Sequence, residues 1–158
     1  MELVKITKEI EELCYKLIGI CMNVHNEVGP GFPEEYYQRA LEIEFAESEI
    51  SFVAQSPVPI LYKDNQLGVN YLDFLIDEKI VLEIKSVNVL TNVNMFQVLK
   101  YLGYTGLDVA LLVNFGKEKL EYKRVLPTRK MLEFRQQNTN NPLPASENSK
   151  RQAGNHPK

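Results

Sequence analysis

The sequence predicts an α/β fold, a mixed sheet with an antiparallel hairpin unit and flanking helices. Three stretches predict it. Residues 6–28 place Ile6, Ile10, Leu13, Leu17, Cys21, Val24 and Val28 at spacings of three and four, the period of an amphipathic helix. Residues 69–87 read as two strands around a tight turn at Asp77-Glu78. Residues 108–114 carry Val109-Ala110-Leu111-Leu112-Val113, apolar on both faces, as a strand covered from both sides requires.

The elements follow in order. Thr7 is placed to cap the first helix, and Gly29-Pro30-Gly31 stops it. Pro33 suits the first turn of a second helix that runs to about Ser48, with Tyr37, Leu41 and Phe45 setting its faces. Pro57–Tyr62 is short and apolar, and its prolines suit an edge strand or a strand start. Lys63-Asp64-Asn65-Gln66 reads as a turn. Strands are expected at Val69–Ile76 and Lys79–Val87, and a helix over 92–104. A buried strand follows at Asp108–Asn114, then a weaker one at Leu120–Leu126 and a short helix over 128–136. An antiparallel hairpin, a crossover helix and a further strand predict that this strand joins the sheet in parallel. One domain is expected over 1–136. Beyond it, residues 137–158 hold mainly Asn, Ser, Pro, Gln and Lys and read as a disordered polar tail.

Composition narrows the function classes. The chain has 158 residues, enough to bury a core without metal or disulfide staples. No apolar run approaches the roughly 18 residues of a membrane span, and Glu9, Glu11 and Glu12 interrupt any signal-like N-terminus. A cytoplasmic location is the default expectation. Cys14 and Cys21 lie roughly 10 Å apart along one helix, too far to bridge, and read as small buried apolar residues. With His25 and His156 the only histidines, no zinc-type spacing exists. His25, near a helix end, reads as a C-terminal cap or core histidine. The net charge is −3, but its distribution is uneven. Residues 1–62 hold four Lys/Arg against eleven Glu; residues 117–135 hold seven against three, so 7 − 3 = +4. That basic flank suits either a phosphate backbone or plain solvent.

The hairpin register can be derived. Opposed residues in an antiparallel pair keep a constant index sum. A two-residue loop at Asp77-Glu78 sets Leu72 opposite Glu83 and Asp73 opposite Leu82, mixing apolar with charged. A three-residue loop through Lys79 sets Leu72, Phe74 and Ile76 opposite Ile84, Leu82 and Ile80, an apolar face. The other face then pairs Leu75 with Val81, Asp73 with Glu83 and Tyr71 with Lys85. The hydrophobic pattern thus selects the register that brings two carboxylates together. Opposed carboxylates repel unless something lies between them, and Mg²⁺ takes one or two carboxylates plus waters and phosphate. Lys85 points to the same face, to polarise a water or stabilise phosphorane charge, or else to complete a surface salt-bridge cluster. Asn94, Gln97 and Tyr101 share one helix face, and Glu34, Tyr37 and Gln38 another. Each set suits water or phosphate, or simply faces solvent. Glu34 alternatively favours its helix N-terminus through the dipole.

At this point the chain resembles a known family. Gly31-x-x-Glu34-x-x-Tyr37, preceded by Val24-His25 and Gly29-Pro30-Gly31, looks like the signature of the GxxExxY proteins, a group within the PD-(D/E)xK nuclease-like superfamily. The similarity continues through Asp73, Glu83-Ile84-Lys85, Thr91, Gln97-x-x-x-Tyr101-Leu102 and Leu112-Val113-Asn114-Phe115-Gly116, covering roughly residues 6–126. It implies a restriction-endonuclease-like core in which Glu34, Asp73, Glu83 and Lys85 gather around Mg²⁺, with Gln97 added from the following helix. Related sequences commonly have an arginine where this chain has Tyr71.

The expected function is a Mg²⁺- or Mn²⁺-dependent phosphodiesterase acting on DNA or RNA. Asp73, Glu83, the Ile84 carbonyl and Glu34 are the expected metal ligands. Lys85 would orient water, Gln97 would position Lys85 or substrate, and Tyr37, Asn94 and Tyr101 would contact substrate. The rivals are a catalytically silent nucleic-acid-binding or regulatory module on the same fold, and a subunit that gains its grip as a homodimer.

Overall fold

The structure, a computed structural model, describes residues 4–137. All but the first residue of the expected tail, 137–158, lies outside the described residues; Gln137 ends a helix. The order is α1 (Lys8–Val28), α2 (Glu34–Glu47), β1 (Phe52–Tyr62), β2 (Asn65–Ile76), β3 (Ile80–Lys85), α3 (Asn92–Thr105), β4 (Val109–Asn114), β5 (Glu121–Val125) and α4 (Arg129–Gln137). The five strands form one sheet in chain order. β3 and β4 pair in parallel across the α3 crossover, and the other neighbours pair antiparallel. This is the mixed sheet with a hairpin unit that the sequence predicts.

Local signals place the helices. The Thr7 hydroxyl accepts the Ile10 N–H at 3.2 Å and starts α1. Gly29 and Gly31 take positive φ, 89° and 81°, and end it. Pro33 sits one residue before α2 rather than within its first turn. Apolar residues of α1 and α2, among them Leu17, Cys21, Tyr37, Leu41 and Phe45, pack on one sheet face against Phe74, Ile76, Leu82, Ile84 and Phe115. The α3 residues Val98, Tyr101 and Leu102 cover the other face over Leu75, Val81, Ala110 and Leu112. Both cysteines are buried thiols, and burial pushes Cys21 up to about 12. His25 is buried, with Nε2 2.8 Å from the Lys117 carbonyl, in keeping with a core histidine.

The hairpins differ from expectation in length. Lys63 and Asp64 alone make the first turn, both at positive φ (47° and 63°), the conformation of a tight two-residue hairpin. Asn65 and Gln66 therefore belong to β2. β1 starts at Phe52, because Phe52 and Ala54 pair with Ile76 and Phe74. Pro57 and Pro59 are tolerated because β1 is an edge strand.

The Asp77–Lys79 turn has the three-residue register, with Phe74 opposite Leu82, Leu75 opposite Val81 and Ile76 opposite Ile80. The β2–β3 ladder ends at Phe74 and Leu82, so Leu72 does not pair with Ile84, Asp73 with Glu83, or Tyr71 with Lys85. Alternation in β2 breaks at Asp73: Leu72 joins Leu75 on the α3 face, whereas Phe74 and Ile76 face α1 and α2. The cause lies partly in β1, where Gln55 takes a φ of 52° and interrupts pairing between Ala54–Phe74 and Ser56–Leu72.

The carboxyl ends of β3 and β4 are clamped. The buried Asn114 side chain accepts the Val87 and Gly116 N–H groups, each at 3.0 Å, and donates to the Val87 carbonyl at 2.9 Å. A Cβ on Gly116 would lie 2.3 Å from the Val87 carbonyl oxygen. Replacing Gly116 with Ala should therefore cost about 2 kcal/mol or more by overpacking. Gly68→Ala, with nothing within 4 Å, should be nearly neutral. Urea unfolding of the two variants beside wild type checks this.

Candidate functional site

The bend in β2 decides what the two carboxylates touch. Where ladder bonds would continue, side chains replace them. Asp73 Oδ2 accepts the Ile84 N–H at 2.9 Å, and Glu83 Oε1 accepts the Asp73 N–H at 2.9 Å. Each carboxylate thus satisfies the opposing strand's main chain. Glu83 is only 3% exposed. Glu83 and Lys85 follow Val81 onto the α3 face, since alternate residues of a strand share a face. The Ile84 carbonyl points to the β2 side, as its N–H does, because the Lys85 carbonyl is taken by Phe115 N–H on the β4 side at 2.8 Å.

Electrostatics follow from this packing. Burial, and then the Asp73 charge, holds the Glu83 carboxyl well above the usual carboxylate range. Burial also raises Asp73, opposed by the Ile84 N–H and the nearby Lys85 charge. A buried and a half-buried carboxyl side by side cannot both ionise cheaply, so the pair holds a proton unless a cation replaces it. Lys85 is half-buried and its charge favours the ionised form of both acids.

Surrounding residues fall into two sets. Gln55 Nε2 lies 3.5 Å from Asp73 Oδ1, held there by the left-handed backbone of its own residue. Gln38 on α2 is buried and donates to the Asp73 carbonyl at 3.3 Å. On the far side, Gln97 Nε2 donates to the Tyr101 hydroxyl at 3.2 Å, and that hydroxyl also meets the Asn70 side chain. Tyr101 is raised by burial and then by the Glu83 charge, which puts its hydroxyl within reach of the acidic pair's field.

Three expected residues are used differently. The Tyr37 ring is fully buried and stacks on Phe115 with centroids 4.4 Å apart. Its hydroxyl donates to the Gly29 carbonyl at 2.6 Å and accepts the Phe32 N–H at 3.0 Å. It shapes the loop before α2 and presents no atom to a substrate. Asn94 completes the α3 cap with Thr91: its Oδ1 accepts the Thr91 N–H at 3.0 Å, which ties that oxygen to the helix end. Glu34 is exposed on the first turn of α2, one turn before Gln38. Among the described residues, no three His, Cys, Asp or Glu side chains form a group that could hold a metal. The structure therefore brings together Asp73, Glu83, Ile84 and Lys85, with Gln97 and Tyr101 alongside, and leaves Glu34 outside. Although they share a helix face, Glu34 at the start of α2 is exposed while Tyr37 one turn on is fully buried.

Sequence reasoning missed Gln55, Asn70 and the clamp role of Asn114. A polar residue closing the apolar run Val109–Val113 was a readable signal for Asn114. Gln55 carried none, since its position depends on a backbone conformation that glutamine rarely adopts.

The model of the PD-(D/E)XK nuclease superfamily matches residues 11–125. The chain belongs to that superfamily. Its sheet order and helix placement agree with a PD-(D/E)XK nuclease-like fold, and the matched span contains Asp73, Glu83 and Lys85. Among solved structures, one titled "Crystal structure of SSO0001" is 16% identical, with a TM-score of 0.48. The match covers 66% of this chain, and the chain spans about 55% of that structure. A search of the curated proteins finds no match. Among the described residues, no helix of this superfamily member is long and apolar enough to cross a membrane.

The donor set fits a hard divalent cation. Asp73, Glu83 and the Ile84 carbonyl offer oxygen only, and Mg²⁺ characteristically takes one or two carboxylates and completes its shell with water. The raised carboxyls carry a sign for stability. The folded protein binds more protons than the unfolded chain above about pH 4, where free carboxyls begin to ionise. Without metal, the melting temperature should therefore fall as pH rises from about 4 through the pair's titration. Asp73→Asn should flatten that slope. At neutral pH, Mn²⁺ should raise the melting temperature of wild type but not of Asp73→Asn. Differential scanning calorimetry across pH, with EDTA or Mn²⁺, measures both. A pH slope unchanged by Asp73→Asn would show that the pair does not carry the proton.

Proposed function

We propose that this protein is a Mg²⁺- or Mn²⁺-dependent phosphodiesterase acting on nucleic acid, from the GxxExxY branch of the superfamily. The observation that carries the reading is the Asp73–Glu83 pair, Glu83 buried and Asp73 half-buried, beside Lys85 at the bend of β2. A structural ion pair has no need to hold two like charges together away from water, which costs stability unless a cation joins them. Asp73, Glu83 and the Ile84 carbonyl would hold the metal. A bound divalent ion supplies Lewis acidity, lowering the pKa of a water and screening the phosphate.

The protein groups divide the remaining work. Lys85 orients the attacking water and offsets charge on the phosphorane oxygens. Water oxygen bonds to phosphorus and gives up a proton to solvent, the opposite P–O ester bond breaks, and the leaving oxygen takes a proton from solvent. Gln55 and Gln38 position Asp73, one from each side, by bonding its carboxylate and its carbonyl. Gln97 holds the Tyr101 hydroxyl toward the substrate side. Glu34 acts through water rather than as a direct ligand, consistent with its exposure.

Cleavage assays on single-stranded, duplex and structured DNA and RNA with Mn²⁺ test the reading. Asp73→Ala, Glu83→Ala and Lys85→Ala should each lower the rate by about a hundredfold or more. Glu34→Gln should cost roughly tenfold, the size of an outer contact. Equal background cleavage by wild type and Asp73→Ala would rule out hydrolysis. Metal binding by calorimetry with no cleavage would then leave a silent binding module.

A further inference from the structure

We infer that the cleft between α3 and the β1–β2 hairpin receives an unpaired nucleobase beside the acidic centre, so that the preferred substrate is single-stranded. This rests on the nuclease reading for its substrate class and adds the strand state and the contact surface. The cleft has a volume of about 560 Å³, within the usual range for a small-molecule site. Its walls are Ile60 from β1 and Val93 from α3, with the side chains of Tyr101 and Tyr104 one helical turn apart. The exposed Asn70 and the Gln97–Tyr101 hydrogen bond also line it, and Lys100 stands exposed at its rim.

Each part suits a base. Tyr104, half-buried, offers an aromatic face on which any nucleobase can stack, whereas the Tyr101 ring packs in the core. Two amide side chains offer donors and acceptors to a base edge, and that edge is open only when the base is unpaired. Lys100 supplies one cation for a neighbouring phosphate. Asn70 stands on β2 three residues before Asp73, so a base seated here would bring its backbone toward the acidic pair.

Charge argues against a duplex. The chain carries a net −3. Three cations of the basic 117–135 flank are engaged within the fold: Lys117 with Glu121, Arg124 with Glu11 and Arg135 with Asp108. Duplex binding without base contacts depends on many phosphate contacts. Stacking in a cleft needs few.

The test uses the full chain in EDTA, where binding is read without turnover. Fluorescence anisotropy compares a labelled single-stranded 12-mer, DNA or RNA, with a blunt duplex of the same sequence. The single strand should bind at least tenfold more tightly. Tyr104→Leu, which keeps an apolar side chain in a half-buried position, should weaken single-strand binding roughly tenfold, and Tyr104→Phe should restore it. Lys100→Ala, on an exposed side chain, should lower the salt dependence by about one phosphate contact. Equal affinity for duplex and single strand overturns the inference, as does wild-type binding by Tyr104→Leu, or no single-strand binding. Cleavage in Mn²⁺ is scored separately. Single-strand binding without cleavage keeps the cleft and removes the hydrolase. Cleavage without strand preference does the reverse.

Discussion

Asp73 and Glu83 reach across the β2–β3 hairpin and bond each other's strand in place of the missing ladder. These two bonds do two things at once. They satisfy main-chain donors that burial would otherwise leave stranded, and they hold two carboxyls close enough to compete for one proton. The break in the pleat follows from them, because an Asp73 side chain turned into the sheet plane cannot alternate with its neighbours. Leu72 thereby moves to the α3 face, and the outer half of the hairpin runs on to form one wall of the cleft with Ile60 and Asn70.

The supporting residues approach this pair from separate elements. Gln38 comes from α2, Gln55 from the edge strand, and Lys85 from β3 itself. A site held from separate elements keeps its carboxylates in fixed positions. Tyr101 lines the cleft, and its hydroxyl is raised in part by the Glu83 charge. Membership of a nuclease superfamily supplies the class of chemistry; the arrangement of these particular side chains supplies the reasons to assign them roles.

Much of this was legible in the sequence. Periodicity set α1, and the Leu72–Ile84 apolar pattern chose the three-residue turn at Asp77–Lys79. That choice brought Asp73 and Glu83 together for a sound reason but in the wrong manner. It assumed an unbroken ladder, whereas carboxylates can themselves accept main-chain N–H groups and so end it. Asn94 and Tyr37 show a second limit. A polar residue on a helix face is the same in sequence whether it meets solvent, substrate or its own helix cap, and the Thr91–Asn94 spacing was the available sign of the cap. Gln55 shows a third, since a positive φ in a strand is imposed by tertiary packing and leaves no local trace.

The Asn114–Gly116 clamp carries a consequence for the order in which the protein comes into being. Lys85 is fixed only when β3 lies beside β4 and Val87 is gripped by Asn114, so the lysine's place depends on residues about thirty positions later in the chain. Domains form as the chain emerges from the ribosome, amino terminus first. A nascent chain that has exposed both carboxylates still lacks the strand that anchors the lysine. The centre therefore cannot be completed on the hairpin alone and forms only once β4 has joined β3.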